Sequence, residues 1–448
     1  MSRATKTLSV WMNGERVGAW HDAERDQQSF RYEPNWLDSA AARPLSLSLP
    51  FLPDNAPHRG AAVYNYFDNL LPDSKPIRDR IASRYRTESR DAFALLREIG
   101  ADCVGAVQLL REDEQPEHLR HIRGQPLTVD DVADLLAGVP TAAGWHPTGR
   151  EDGLRISIAG AQEKTALLWH EGRWQLPIGA TPTTHLFKLP LGRIATLGVD
   201  LSTSVENEWL CSRLLAAYGL PIANCEMARF GESPVLIVER FDRRLSADQQ
   251  WWLRLPQEDY CQALALPPER KYESDKGPGI PEIMRVLQGS RPEHRELDRE
   301  RFFRAQILFW MLAAIDGHAK NFSLFIEAGG AYRATPLYDV LSAWPFVGSG
   351  AGKMPRRKLK MAMAVHGKSK HYDHDTIQRR HWTSTARKCG FGADIESMID
   401  TLIEQTPGAI ARVEAELPSS FPLAVAEQVF DGLRLSAERL AMQRGRPH

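Results

Sequence analysis

Apolar and polar residues alternate along residues 8–20 around Asn13-Gly14, the pair most strongly tied to two-residue β-hairpins, so the chain opens as antiparallel sheet. Phe30 and Tyr32, and then residues 44–51 with Leu45, Leu47 and Leu49 on one face, predict further strands. Helical spacing over 64–71, 75–85 and 92–99, broken at Pro72, predicts three helices, and 105–110 reads as a strand. Residues 111–125 are charged and contain proline, as an exposed connection does. A second sheet-rich stretch follows: 155–159 as a strand, Gly160-Ala161-Gln162-Glu163 as a turn, and 164–169 as the returning strand. His185-Leu186-Phe187-Lys188-Leu189-Pro190 predicts an apolar strand, 204–218 a helix, and 235–238 a buried strand. From Asp259 onward the periodicity is mainly helical, over 281–287, 301–315, 374–389, 395–404, 409–416 and 424–443. The pattern is that of an α+β chain with segments at 1–112, 113–150, 151–256 and 257–448: a β-rich subdomain, a connection, a second sheet and a helical lobe.

Composition narrows this only by exclusion. Of 448 residues, 43% are hydrophobic and 25% charged, and no apolar run reaches spanning length, so a cytoplasmic protein with no membrane partner is expected. A net charge of −1 gives the whole chain no attraction to polyanions; a local exception is 348–370, with Lys353, Arg356, Arg357, Lys358, Lys360, Lys368 and Lys370. The five cysteines are scattered and never spaced C-x-x-C, which argues against a zinc site or a disulfide framework.

The chemistry concentrates at Asp316-Gly317-His318-Ala319-Lys320-Asn321. Gly317 reads as the stop of the preceding helix, which puts Asp316 at a helix end. Residues 322–326, Gly329-Gly330 and 332–337 read as a hairpin returning Asp339 toward Asp316 and Asn321. An Asp, an Asn five positions on, and a second Asp beyond a hairpin is the order in which protein kinases place base, metal-binding amide and metal-binding carboxylate. The flanking letters His-Arg-Asp and Asp-Phe-Gly are missing, and the same residues also suit a helix cap and a turn, so both readings stand at this point. Upstream, Lys188 inside an apolar strand asks for an anionic partner, a nucleotide phosphate or an acid such as Glu208. The strand at 235–238 ends in Glu239-Arg240-Phe241, where a kinase has its adenine-binding connector. In this order the parts describe a two-lobed protein-kinase-like fold, its N-terminal lobe β-rich with an extra subdomain and its C-terminal lobe mainly α-helical.

With these residues in view, the chain resembles the HipA family of bacterial serine/threonine-kinase toxins from about Val10 to near its C-terminus. The matching stretches include Arg43-Pro44-Leu45-Ser46-Leu47-Ser48-Leu49-Pro50, Phe67-Asp68-Asn69-Leu70-Leu71-Pro72-Asp73, Ser157-Ile158-Ala159-Gly160-Ala161-Gln162-Glu163-Lys164 and Val238-Glu239-Arg240-Phe241-Asp242-Arg243. Gln257-Glu258-Asp259, Lys271-Tyr272-Glu273, the Asp316 to Asn321 motif and Tyr338-Asp339 continue it. The resemblance implies ATP and Mg2+ as cofactors and Asp316 as catalytic base, with His318 lining the site and Lys188 touching the phosphates. It implies Asn321 and Asp339 as metal ligands, and nucleotide contacts from Ala159, Gly160, Ala161, Gln162, Glu163, Lys164, Glu239 and Phe241. It implies autophosphorylation at Ser157 that inactivates the kinase by displacing the phosphate loop. It further implies a helix-turn-helix antitoxin partner, operator DNA reached mainly through that antitoxin, and a protein substrate of the kind of glutamyl-tRNA synthetase. Two alternatives remain open here: a catalytically silent co-repressor scaffold, and transfer of AMP on the same fold.

Overall fold

The computed structural model describes residues 6–22, 27–140, 157, 159, 160, 162–194 and 198–444. They form two compact units, one built from 1–189, 228–270 and 323–332, the other from 190–227, 271–322 and 333–448. No described helix is long and apolar enough to cross a membrane.

The first unit begins with a five-stranded antiparallel sheet in the order His58–Arg59, Ser29–Tyr32, Glu15–His21, Thr7–Met12, Val107–Arg111. Asn13 (φ 49°) and Gly14 (φ 87°) both take positive φ, as the tight turn between Met12 and Glu15 requires. Trp20 stacks on Phe67 at 4.0 Å, joining the sheet to the helix Ala61–Asp68 in a core with Phe30, Phe93 and Leu96. The strand expected over 44–51 does not form. Glu258 takes its place as hydrogen-bond partner: its Oε1 accepts from the Leu47 backbone N–H at 2.8 Å and its Oε2 from Ser46 Oγ at 2.5 Å. A backbone donor held by a buried carboxylate is no longer free for a ladder.

A six-stranded sheet follows, in the order Cys225–Phe230, Ser233–Glu239, His185–Lys188, Lys164–His170, Arg173–Pro177, Gly124–Pro126. One face carries Leu167, Phe187, Val235 and Ile237 into a core capped by the helix Val129–Gly138. Because side chains alternate across a strand, Lys188 points to the other face. There it stands opposite Leu236 on one side and Lys164 on the other. Of the strand expected at 155–159, only Ser157 and Ala159 are among the described residues, and neither is in a strand.

The second unit is mostly helical: Ser204–Ala217, Ile280–Leu287, Arg295–Met311, Arg379–Lys388, Ile395–Ala415 and Leu423–Met442, with a hairpin of Lys360–His366 and Lys370–Asp373. The helix expected over 301–315 starts earlier and stops at Met311; Ala313 then turns left-handed at φ 48°. Asp316 therefore stands in a loop beyond the helix. Gly317 is not the stop. A Cβ there would lie 2.5 Å from Phe309 Cδ2, so glycine lets the loop fold back against the helix it has just left.

Candidate active site

The loop from Asp316 to Asn321 is closed on itself by its own backbone. His318 N donates to Asp316 O at 2.8 Å and Asn321 N to His318 O at 2.9 Å, while Asn321 Nδ2 donates to Asp316 O at 2.8 Å. Asn321 is buried, and with its amide nitrogen committed its carboxamide oxygen is left to accept or to ligate. The Asp316 side chain is 60% exposed. Its Oδ1 accepts from the Tyr272 hydroxyl and lies 4.0 Å from His318 Nε2. The His318 ring in turn meets Tyr272 edge to face at 4.9 Å.

Asp339 is brought alongside this loop by its neighbours. Tyr338 Oη donates to Lys320 O at 2.9 Å, Ser342 Oγ to Leu312 O at 2.6 Å, and Ala343 N to Ala313 O at 3.0 Å. On the other side, Ala223 N donates to Leu337 O at 2.8 Å. Held at both ends, Asp339 adopts φ 61°, a conformation costly for a residue with a side chain and concentrated at functional sites. Asn321 Oδ1 and the Asp339 carboxylate are hard oxygen donors of the type Mg2+ takes, its other positions going to phosphate oxygens and water. Among the described residues no group of three or more His, Cys, Asp or Glu side chains is arranged to hold a metal.

The remaining expected residues lie in the first unit. Gly160 takes φ 112° and its carbonyl accepts from Asp73 N at 3.0 Å; Lys164 Nζ donates to Ala159 O at 2.9 Å, and Glu163 pairs with Arg80. Gln162 Nε2 donates to Leu189 O at 2.5 Å. Lys188 is buried, and its register partner Lys164 places two cations directly across a strand pair, an arrangement that favours an anion nearby. Glu239 is exposed and Phe241 half-buried, its ring 5.8 Å from Phe325. Ala161 lies outside the described residues. Ser157 is completely buried, its Oγ donating to Leu70 O at 2.8 Å and its N to Asp102 O at 3.2 Å.

Comparison with known proteins settles the lineage. A family model described as HipA-like C-terminal domain matches residues 156–410, and one described as HipA N-terminal domain matches residues 8–110. The chain belongs to the HipA family. It is 33% identical over 417 residues to the Sinorhizobium fredii protein named "Putative kinase Y4mE", covering 91% of this chain and 92% of that one. To the serine/threonine-protein kinase toxin HipA of Shewanella oneidensis it is 28% identical over 356 residues, 75% of each chain. The solved complex of Shewanella oneidensis MR-1 HipA, HipB and operator DNA shares the fold with a TM-score of 0.77 at 23% identity, covering 97% of both chains.

Reading the HipA-family motifs from sequence missed what the arginines of Val238-Glu239-Arg240-Phe241-Asp242-Arg243 do. Arg240, Arg243 and Arg254 converge on Asp102 and Asp242 in a buried network, with contacts such as Arg243 Nη2 to Asp102 Oδ1 at 3.0 Å and Arg240 Nη2 to Asp242 Oδ2 at 2.8 Å. Burial by itself would raise the Asp102 carboxyl; Arg243, Arg240 and Arg254 overturn that and hold it well below the usual carboxylate range. Burial and the neighbouring Arg240 push Arg243 down to about 10. Thr183 N and Oγ1 also donate to Asp102, and Gly105 N to Asp242. The inward side chains of the motif thus fasten the end of Ser233–Glu239 to the 102–105 loop, leaving Glu239 and Phe241 outward. The available sequence signal was three arginines with two aspartates in a chain of near-zero net charge, and their convergence is not local.

Proposed function

We propose that this HipA-family chain is an ATP- and Mg2+-dependent serine/threonine-protein kinase and the toxin of a toxin-antitoxin module. The observation that carries this reading is the closed Asp316 to Asn321 loop. It holds the exposed Asp316 carboxylate and the Asn321 carboxamide on one short loop, with Asp339 on a segment bonded to the same loop. In the mechanism, Asp316 accepts the proton of a protein hydroxyl as that oxygen bonds to the γ-phosphorus, while the bond from that phosphorus to the β,γ-bridging oxygen breaks and ADP leaves. Asn321 and Asp339 would hold Mg2+, which would supply charge neutralisation of the triphosphate. Lys188, with Lys164 opposite it, would bind phosphate oxygens; the stretch of Ala159, Gly160, Gln162 and Glu163 would cover the phosphates through its backbone, and Glu239 and Phe241 would contact the adenine.

Self-transfer to Ser157 belongs to the same proposal. With its hydroxyl donating to Leu70 O and no exposed surface, Ser157 reaches the nucleotide only once its segment leaves this position, in keeping with a modification that displaces the phosphate loop. The relative solved with HipB and operator DNA supports an antitoxin partner that both neutralises this chain and carries it to operator DNA. An aminoacyl-tRNA synthetase such as glutamyl-tRNA synthetase is the proposed protein substrate. The test is incubation of the purified chain with ATP and Mg2+, followed by intact-mass and peptide mass spectrometry. Gain of one phosphate at a hydroxyl, Ser157 included, is the expected result; gain of AMP assigns adenylyl transfer instead, and no mass change removes the kinase reading.

A further inference from the structure

Lys271-Tyr272-Glu273 is a family-like motif to which the reading above gives no role, yet it is bonded directly to the proposed catalytic loop. Ala319 N donates to Lys271 O at 3.1 Å, so the backbone at Tyr272 is tied to the middle of that loop. The Tyr272 hydroxyl donates to Asp316 Oδ1, and its ring packs edge to face on His318. On the far side, Glu273 is buried, accepts from Ala364 N, and pairs with Lys370 at 2.7 Å. Tyr272 is therefore held from both sides, by the loop and by the hairpin of Lys360–His366 and Lys370–Asp373.

We infer that Tyr272 is a positioning residue for phosphoryl transfer: its hydroxyl fixes one oxygen of the Asp316 carboxylate so that the other faces the acceptor hydroxyl. The inference rests on the kinase reading. A 60% exposed aspartate samples its rotamers unless something holds it, and a base must lie within hydrogen-bond reach of the proton it removes. The contacts of the carboxylate fall on Oδ1: the phenol directly, and the His318 ring at 4.0 Å. That leaves Oδ2 for the substrate. The other titratable groups at hand are His318 and Lys271, whose Nζ lies 5.7 Å from the Tyr272 ring centroid, and a change confined to the hydroxyl of Tyr272 leaves both in place.

The test follows the rate of self-phosphorylation in a single turnover with ATP and Mg2+ for wild type, Tyr272→Phe, and the chain carrying 3-fluorotyrosine at position 272. Tyr272→Phe keeps the ring against His318. It is expected to slow transfer by about ten- to a hundred-fold and to leave the ATP concentration for half-maximal rate unchanged. The fluorinated ring, a hydroxyl donor of nearly the same shape, is expected to transfer close to the wild-type rate and does not depend on the phenylalanine variant folding. A fluorinated chain as slow as Tyr272→Phe, or a Tyr272→Phe variant with the wild-type rate, overturns the inference while leaving the kinase reading intact. A wild type that transfers nothing overturns the kinase reading and this inference with it.

Discussion

Gly317 shows how a single residue decides the shape of the site. Its missing Cβ admits the Phe309 ring, which is itself buried and stacked at 5.6 Å on Phe322, so neither partner can yield cheaply. Gly317→Ala is expected to cost about 1–3 kcal/mol, read by urea unfolding, and to lower phosphate transfer because the displaced loop carries Asp316 and His318. From sequence the glycine looked like a helix stop, since a glycine after an apolar run commonly is one. The contact that requires it lies a helical turn and a reversal away, and no local pattern records that. By contrast, the Asp316 to Asn321 turn was legible because its bonds are local, Asn321 to the Asp316 carbonyl among them, whereas the segment of Asp339 is held from farther along the chain, by Tyr338 to Lys320 and Leu337 to Ala223.

Among the elements, those whose hydrogen bonds stay within a hairpin or a helix matched expectation: the Asn13-Gly14 turn, Lys75–Tyr85 and Ala92–Ile99; the strand bearing Lys188 matched as well, although its partners are the non-adjacent strands Lys164–His170 and Ser233–Glu239. Residues 44–51 departed because Glu258, more than two hundred positions away, holds the Leu47 amide and the Ser46 hydroxyl. The two helices expected over 395–404 and 409–416 are one, Ile395–Ala415, with Pro407 inside it; Thr406 Oγ1 donates to Leu402 O and accepts from the buried Tyr218 hydroxyl, and packing carries the helix through. Two stability predictions belong at this scale. Asp102→Asn leaves Arg240 and Arg243 with Asp242 as their carboxylate and takes from buried Arg254 the carboxylate it pairs with, and is expected to cost about 3–5 kcal/mol in denaturant titration. Glu258 carries a pH signature: burial pushes its carboxyl from 4.5 up to about 8. A group whose value is raised by folding binds its proton more tightly when folded, so its stabilisation is complete below pH 4.5 and is lost as pH rises through 8. Thermal unfolding from pH 5 to 9 should show that decline in wild type and a flatter curve in Glu258→Gln; equal slopes would remove Glu258 as the cause.

On the scale of the whole chain, both family models and the fold match agree with the α+β, kinase-like architecture read from the order of motifs. That order was readable because each motif is short and self-contained, and their succession is far more specific than any one alone. The sequence pointed to the proposed protein substrate and antitoxin only through family resemblance, because a recognition surface is assembled from distant segments. The central claim is the division of labour between Asp316, which acts in chemistry, and Asp339, which holds Mg2+. Its most direct test measures Mg2+-dependent ATP binding and phosphate transfer side by side in Asp316→Ala and Asp339→Ala. The account predicts that Asp316→Ala binds ATP as wild type does and transfers no phosphate, whereas Asp339→Ala loses the Mg2+-dependent binding itself. Transfer by Asp316→Ala at the wild-type rate, or unaltered Mg2+-dependent binding in Asp339→Ala, would contradict it.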